Sequence, residues 1–543
     1  MDAASTMMNL PLNIESILQR AEGASKSIEV VSRRSDKTIE RTTWGEVAVR
    51  ARKLARALIQ LGVKPGDRVA TLSWNHSSHL EAYLGVPLSG AVLHTLNLRL
   101  HPDDIAYIAN DAGDSVIIVD EVLLPLFEKF RAKVPFQHII VVPCGTAAHD
   151  PHLADKGFLV YDTFLNKAPA SVPMPALPEE SALGMCYSSG TTGRPKGVVY
   201  SHRSSLLHSL VIALPDSLSL SRRDTVLIVV PMFHVNAWGI PYACAMVGAR
   251  TILPGPHLDA ESLLNLMADE QATMAAGVPT LWMGIRDAMD ANPGKWKLRT
   301  GLRMIVGGSS APEQLIRDFD RQGMTILHAW GMTETSPVGL ISRLPPEMDS
   351  FPEDEKYKYR AKQGVPPPLV ELQIRNEQGD VPHDGKTPGE VLVRGPFIAG
   401  RYHNRNDPDR WTQDGYFRTG DIAHIDAHGF VQLTDRVSDM IKSGGEWISS
   451  VELENALMAH PDIKEAAVAA APHPKWGERP IAAVVMKPGK TATHEELREF
   501  ISPKFAKYQL PDATVFIEII PKTSAGKFLK SALREQFKDW KWA

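Results

Sequence analysis

The chain has 543 residues, of which 43% are apolar and 22% charged, with a formal net charge of −4. Such a composition suits a folded chain long enough for several packed units, and no Lys/Arg cluster marks it for DNA or RNA. Its cysteines, Cys144, Cys186 and Cys244, are scattered without zinc-type spacing, which fits a reducing, cytoplasmic compartment. The opening segment lacks a basic start and a long apolar run, so no signal peptide is expected.

Thr43 and Glu46 form a capping-box pattern, Val47, Leu54, Leu58 and Leu61 follow at helical spacing, and Gly62 stops the helix. Strands are expected at 69–72, 116–119, 139–142, 304–306 and 325–327, with helices at 123–133 and 313–321. Strands alternating with helices predict mostly parallel sheets covered by helices, an α/β class. Residues 166–180 read as a Pro-rich connector and 349–362 as a charged surface loop. Residues 225–249 carry no charge, a length that could span a bilayer. Yet His234, Asn236, Pro231 and Pro241 interrupt the stretch, which reads instead as a strand over 226–230, a loop and a small-residue helix. After Arg436 the scale changes to a small α+β unit: helices at 449–459, 494–504 and 527–537, strands at 465–470, 481–486 and 514–518.

The most informative segment is Tyr187-Ser-Ser-Gly-Thr-Thr-Gly-Arg-Pro-Lys-Gly197. Its glycines allow close backbone approach, and its hydroxyls and lysine suit polyphosphate oxygens. Pro195 before Lys196 excludes a Walker A loop, which needs glycine there. Further along come Pro231-Met-Phe-His-Val-Asn-Ala-Trp-Gly239, Gly307-Gly-Ser-Ser-Ala-Pro312, Ala329-Trp-Gly-Met-Thr-Glu334, Tyr416-Phe-Arg-Thr-Gly-Asp421, Asp435-Arg436, Lys442-Ser-Gly-Gly-Glu-Trp447 and Pro521-Lys-Thr-Ser-Ala-Gly-Lys527. In this order they closely resemble the adenylate-forming superfamily of acyl-CoA synthetases, luciferases and peptide-synthetase adenylation domains, from about Trp44 to Lys530.

The resemblance implies a large N-terminal domain over 1–436, its helix-covered sheets joined by a β-rich subdomain, and a small mobile C-terminal domain over 437–543. The hinge falls near 437–439, where Ser438 stands in place of the usual Asp or Lys. It implies ATP, Mg²⁺ and CoA: a carboxylate attacks the α-phosphorus, pyrophosphate leaves, and CoA thiolate then displaces AMP. Ser188, Ser189, Gly190, Thr191, Thr192 and Lys196 would hold phosphates, with Glu334 and Ser188 at magnesium and Thr333 at the α-phosphate. Gly308, His328, Ala329, Trp330 and Gly331 would line the nucleotide, Trp330 giving an aromatic face where most relatives have Tyr. Asp421 would accept from both ribose hydroxyls, helped by Arg436. Lys527 would bridge carboxylate and α-phosphate during adenylation. Lys442, Gly444, Gly445 and Trp447 would face the acyl-adenylate in one domain orientation and the CoA channel in the other. Relatives in the fatty-acid branch are often homodimers.

For the acid, His234, Val235, Trp238, Gly239, Gly331 and Met332 are the expected contacts. The segment 233–239 has no Asp to pair with an amino-acid ammonium, and no carrier domain follows Lys527, which argues against a peptide-synthetase domain. His-Val-Asn-Ala-Trp is similar to the medium- and long-chain fatty acyl-CoA synthetase branch, in which the Trp gates the acyl tunnel. Similar segments occur in ligases for 3-methylthiopropionate, and a ligase for that or another short-chain acid stays open as an alternative, as do a transporter or membrane-bound acyltransferase and a luciferase-like oxygenase. His202 and His208 are read as structural.

Overall fold

The computed structural model describes residues 5–143, 150–188, 194–436, 439–444, 446–523 and 527–542. Two large sheets organise the first part. Arg68–Leu72, Val92–Thr95, Asp114–Asp120, His138–Val142, Leu159–Val160 and Ala182–Tyr187 run parallel in one sheet, closed by the antiparallel edge strand Gly197–Ser201. The second is parallel in its interior, through Arg250–Leu253, Thr225–Leu227, Met274–Gly277, Arg303–Val306 and Thr325–Gly331. Helices Trp44–Gln60, Ser77–Leu88 and Ile240–Val247 share one core with strands of both sheets. Ser77–Leu88 is buried at every position. Its one carboxylate, Glu81, is held by Arg50 at 2.7 Å and by the Tyr161 hydroxyl at 2.9 Å, which is what allows a charge there.

The capping box of Trp44–Gln60 is formed as the sequence predicts, with Glu46 N donating to Thr43 Oγ1 at 3.2 Å and Thr43 N donating to Glu46 Oε2 at 2.9 Å. The helix Glu313–Arg321 keeps its expected bounds. The uncharged stretch 225–249 folds into strand, loop and the short helix Ile240–Val247, and no helix among the described residues is long and apolar enough to cross a membrane.

Two expectations fail for identifiable reasons. The supposed loop at 349–362 contains the helix Glu353–Ala361. None of its residues is buried, so it shows no apolar period. Instead Arg317 pairs with Asp354 at 2.9 Å and lies 4.0 Å over the Tyr357 ring, while Arg360 pairs with Asp320. The helix expected over 123–133 is broken into Leu124–Phe127 and 3-10 turns on either side. The break lets Phe127 and Phe130 both bury fully, edge to face at 5.4 Å.

A five-stranded antiparallel sheet, ending in Phe417–Ile425 and Val431–Arg436, shares a core with the seven-stranded sheet's edge hairpin, where Val393 meets Val198 and Tyr200, and Trp330 of the strand Thr325–Gly331 joins them. The distinct C-terminal domain is built on its own sheet of Ile441–Ser443, Glu446–Ile448, Ile463–His473, Gly477–Met486 and Ala513–Phe516. Along Ile463–His473 the even positions Ala466, Val468 and Ala470 enter one core and the odd positions Ala467, Ala469 and Ala471 the other, so both faces are covered.

Candidate active site

The strands Ala182–Tyr187 and Gly197–Ser201, which flank the glycine- and hydroxyl-rich segment in sequence, pair antiparallel with Tyr187 opposite Gly197. Beside that pair, Ser188 N donates to Lys196 O at 2.9 Å, and Lys196 N donates to Ser188 Oγ at 3.1 Å. Ser189, Gly190, Thr191 and Thr192 lie outside the described residues. The Lys196 ammonium stands 4.8 Å over the Tyr402 ring and 3.7 Å from Asp407.

The strand Thr325–Gly331 delivers the opposite wall. A Cβ on Gly331 would fall 1.7 Å from Pro337 O, so no other residue fits where this strand turns into Thr333–Thr335. Within the turn, Thr333 O accepts from Tyr200 OH at 2.8 Å, and the buried Glu334 accepts from Tyr402 OH at 2.6 Å. Burial pushes His328 down to about 4, so its ring is neutral at pH 7. Nδ1 faces Ala361 O at 3.0 Å and must carry the proton.

Asp421 and Arg436 stand opposite each other on paired strands, which brings Arg436 Nε within 3.1 Å of Asp421 Oδ1. Asp421 Oδ2 accepts from the Trp330 indole at 2.8 Å. Trp330 therefore does more than offer a flat face.

The far end of the site is shaped by an unusual turn. Val235, Asn236, Ala237, Trp238 and Gly239 all have positive φ, between 46° and 71°. A left-handed turn costs roughly 1–2 kcal/mol per non-glycine residue. It is held by Ala237 N donating to His234 O, Gly239 N donating to Asn236 O, and the Cys186 thiol donating to Asn236 Oδ1 at 3.2 Å. The turn lays the Trp238 indole against Gly307, where a Cβ would come within 3.1 Å of Cη2. Burial, reinforced by Lys527 and Arg99, lowers His234 to about 3, so it faces the site as a neutral imidazole.

Lys527 comes from the C-terminal domain, ahead of the helix Lys530–Phe537 rather than on it. It closes a cavity of about 320 Å³ that also touches Ser188, Lys196, His234, Val235, Trp238, Gly308, Ala329, Trp330, Gly331, Met332, Thr333, Glu334 and Arg436. Arg194 and Arg410 join this wall, so five basic side chains face one carboxylate, Glu334, among the described lining residues. Burial, with Arg436 close by, pulls the Lys527 ammonium down to about 8, against the opposing pull of Asp421 and Glu334. An adjoining cavity of about 210 Å³ between the domains adds His328 and Asp421. Cations converging on one carboxylate beside an apolar pocket suit a polyphosphate, a divalent ion and an acyl chain.

The AMP-binding enzyme family matches residues 18–403, and the AMP-binding enzyme C-terminal domain matches 452–527. The chain belongs to the AMP-binding enzymes. It is 51% identical over 99% of its length to a long-chain-fatty-acid–CoA ligase of Thermus thermophilus, covering 97% of that protein. It is 44% identical to a 3-methylmercaptopropionyl-CoA ligase of Ruegeria lacuscaerulensis, over 98% of each chain. A crystal structure of the anthranilate CoA ligase AuaEII in complex with anthranoyl-AMP superposes with a TM-score of 0.85 at 26% identity, covering 98% of each chain.

Some expected contacts of this AMP-binding enzyme are not in the cavity. Lys442 is exposed and lies away from it, as does Gly444, which is packed on Trp476. Trp447 is on the strand paired to Lys442, and Gly445 lies outside the described residues. The strands that carry Lys442 and Trp447 lie at one edge of the C-terminal sheet. Gly239 lines a small cavity behind Trp238 instead of the main one. Its αL φ of 71° carries the backbone past the indole towards His208. His202 and His208 are buried and take backbone N–H groups of Ile14 and Val338.

Tyr402, Arg410 and Arg194 were not legible as site residues. Tyr402 and Arg410 fall in no glycine-rich or charged motif that marks chemistry, and Arg194, though inside the glycine- and hydroxyl-rich segment, carries no signal of its own beside Lys196. Tyr402 follows the Gly400-Arg401 turn, and only folding carries it to Glu334.

Proposed function

We propose that this AMP-binding enzyme is an ATP-dependent carboxylic acid:CoA ligase that works through an acyl-adenylate on medium- or long-chain fatty acids. The observation behind this reading is the single cavity that runs from Lys196, Arg410, Arg436 and Lys527 around Glu334 to the apolar turn at Trp238. The charged end takes the triphosphate and the apolar end the acyl chain. The carboxylate and the α-phosphorus then meet between Thr333, His234 and Lys527. The carboxylate oxygen bonds to the α-phosphorus as the bond to pyrophosphate breaks. Lys527 and Arg436 neutralise the charge that develops there. His234 is neutral and donates a hydrogen bond without adding charge.

Glu334 fits a magnesium ion, because its carboxylate is held in place by Tyr402 at the phosphate end and faces Ser188 across the cavity. When bound, the ion neutralises phosphate charge.

The second half-reaction breaks the acyl–phosphate bond as CoA thiolate attacks the acyl carbon and AMP leaves. The domains divide at 436/437, and rotation about 437–439 exchanges Lys527 for the face bearing Lys442, Gly444, Gly445 and Trp447. The present position of Lys527 supports an adenylate-forming orientation. The enzyme works in the cytoplasm as a homodimer.

A second reading, a 3-methylthiopropionate ligase, is favoured by the way Trp238 closes the pocket against Gly307, since a short acid fits without moving the indole. One experiment separates them. The protein is given ATP, Mg²⁺, CoA and acids from acetate to long-chain fatty acids plus 3-methylthiopropionate, and AMP and pyrophosphate are measured. Maximal kcat/KM at medium or long chains supports the first reading, and at 3-methylthiopropionate the second. ADP and phosphate as products would overturn both.

A further inference from the structure

We infer that Trp330 is a positioning residue for the sugar of the nucleotide: its indole N–H fixes the Asp421 carboxylate so that the enzyme reads both ribose hydroxyls. The inference rests on the proposed assignment of Asp421 to the ribose. Asp421 is buried, and each of its oxygens already has one donor. Trp330 Nε1 is 2.8 Å from Oδ2, and Arg436 Nε is 3.1 Å from Oδ1. A carboxylate oxygen has two lone-pair sites, so among the described residues one acceptor position is left on each oxygen. Two vacant acceptors on one fixed carboxylate match two vicinal hydroxyls.

The donors differ in permanence. Arg436 is the last described residue before 437 and 438, where the expected hinge begins. Trp330 lies near the end of the strand Thr325–Gly331 in the second large sheet, outside the C-terminal domain. The indole thus keeps Asp421 oriented whatever Arg436 does during rotation. A phenylalanine offers the same kind of ring face to adenine but has no N–H. The wide indole also depends on Gly339, where a Cβ would fall 2.6 Å from Trp330 Cζ3. The sequence of the neighbouring strand makes room for this one side chain.

The test compares kcat/KM for ATP, 2′-deoxy-ATP and 3′-deoxy-ATP in the full-length protein and in Trp330→Phe and Gly339→Ala. Gly339→Ala keeps the indole but crowds its six-membered ring out of place. The wild type should prefer ATP over each deoxy analogue by roughly tenfold or more, the scale of a hydrogen bond to a charged group. Both variants should lose most of that preference. Loss of packing or of stacking would instead lower kcat/KM for all three nucleotides by one common factor and leave the preference intact, which would overturn the inference. A wild type that does not distinguish ATP from either analogue would remove Asp421 from the ribose, and the inference with it. AMP formation in the same assays would still stand, so that failure is separable from failure of the ligase reading.

Discussion

The Lys527 side chain lies across Gly308: a Cβ on Gly308 would stand 3.2 Å from Lys527 Cε. Gly308 has φ of 88° and so needs glycine twice, once for its backbone and once for the lysine above it. The contact joins the C-terminal domain to the basic end of the cavity. Lys527→Ala should cut acyl-adenylate formation by roughly 10²–10³-fold, as for loss of a major electrostatic stabiliser. Thioester formation from synthetic acyl-AMP and CoA should stay close to wild type. Paired half-reaction assays check this, and equal loss in both halves would end the rotating-domain account.

The pH dependence follows from the same lysine. Burial lowers Lys527 from its ordinary value to about 8, so the charged form predominates only below that pH. kcat/KM for ATP should fall as pH rises through about 8. In the ATP complex the phosphates favour the ammonium, so the fall in kcat should come at higher pH. Closure of the empty cleft has the opposite sign, since burying an ammonium costs free energy that vanishes as pH climbs from about 8 towards its ordinary range. Calorimetry in buffers of different ionisation enthalpy should detect proton uptake on ATP binding near pH 8, and Lys527→Met should abolish it. His234 stays neutral down to about 3, so no limb near pH 6.5 should respond to His234→Gln.

Tyr402 donates to Glu334 at 2.6 Å and so sets the direction of the carboxylate expected at magnesium. Removal of a partner of this kind typically weakens metal affinity by about 10- to 100-fold. Tyr402→Phe should raise the magnesium concentration needed for half-maximal activity, and Glu334→Ala should raise it further. Binding of ATP measured with and without Mg²⁺ should show the same order. A variant with an unchanged metal response would remove Glu334 from the ion.

Trp238 closes the acyl end because the left-handed turn at 235–239 presses its ring against Gly307. Trp238→Ala should shift the profile of kcat/KM towards longer acids, since each methylene in an apolar pocket contributes about 1–3 kcal/mol. Gly307→Ala should act oppositely, crowding the indole from the other side. A uniform drop across all acids for both variants would make Trp238 a packing residue only.

Much of the fold was legible because local rules and tertiary packing agree. The capping box at Thr43, the helix Glu313–Arg321 and the alternating strands each bury the face their pattern exposes to view. The helix Glu353–Ala361 was not legible, because ion pairs and a cation–π contact hold it and leave no apolar period.

For the candidate site, the sequence by itself singled out Lys196 at the end of a glycine- and hydroxyl-rich segment, the Thr333-Glu334 pair, Asp421 with Arg436, and Lys527. Those signals are local, since each needs particular residue types at fixed spacing. Only the tertiary structure decided how the parts meet. Tyr402 reaches Glu334 across 68 positions and Trp330 reaches Asp421 across 91. The backbone of Val235–Trp238 adopts a hand that its side chains disfavour, held there by the core around it. A hydrogen bond between distant strands, or strain balanced by packing, leaves no periodic mark in the chain, because its cause lies in neighbours that the sequence does not place side by side.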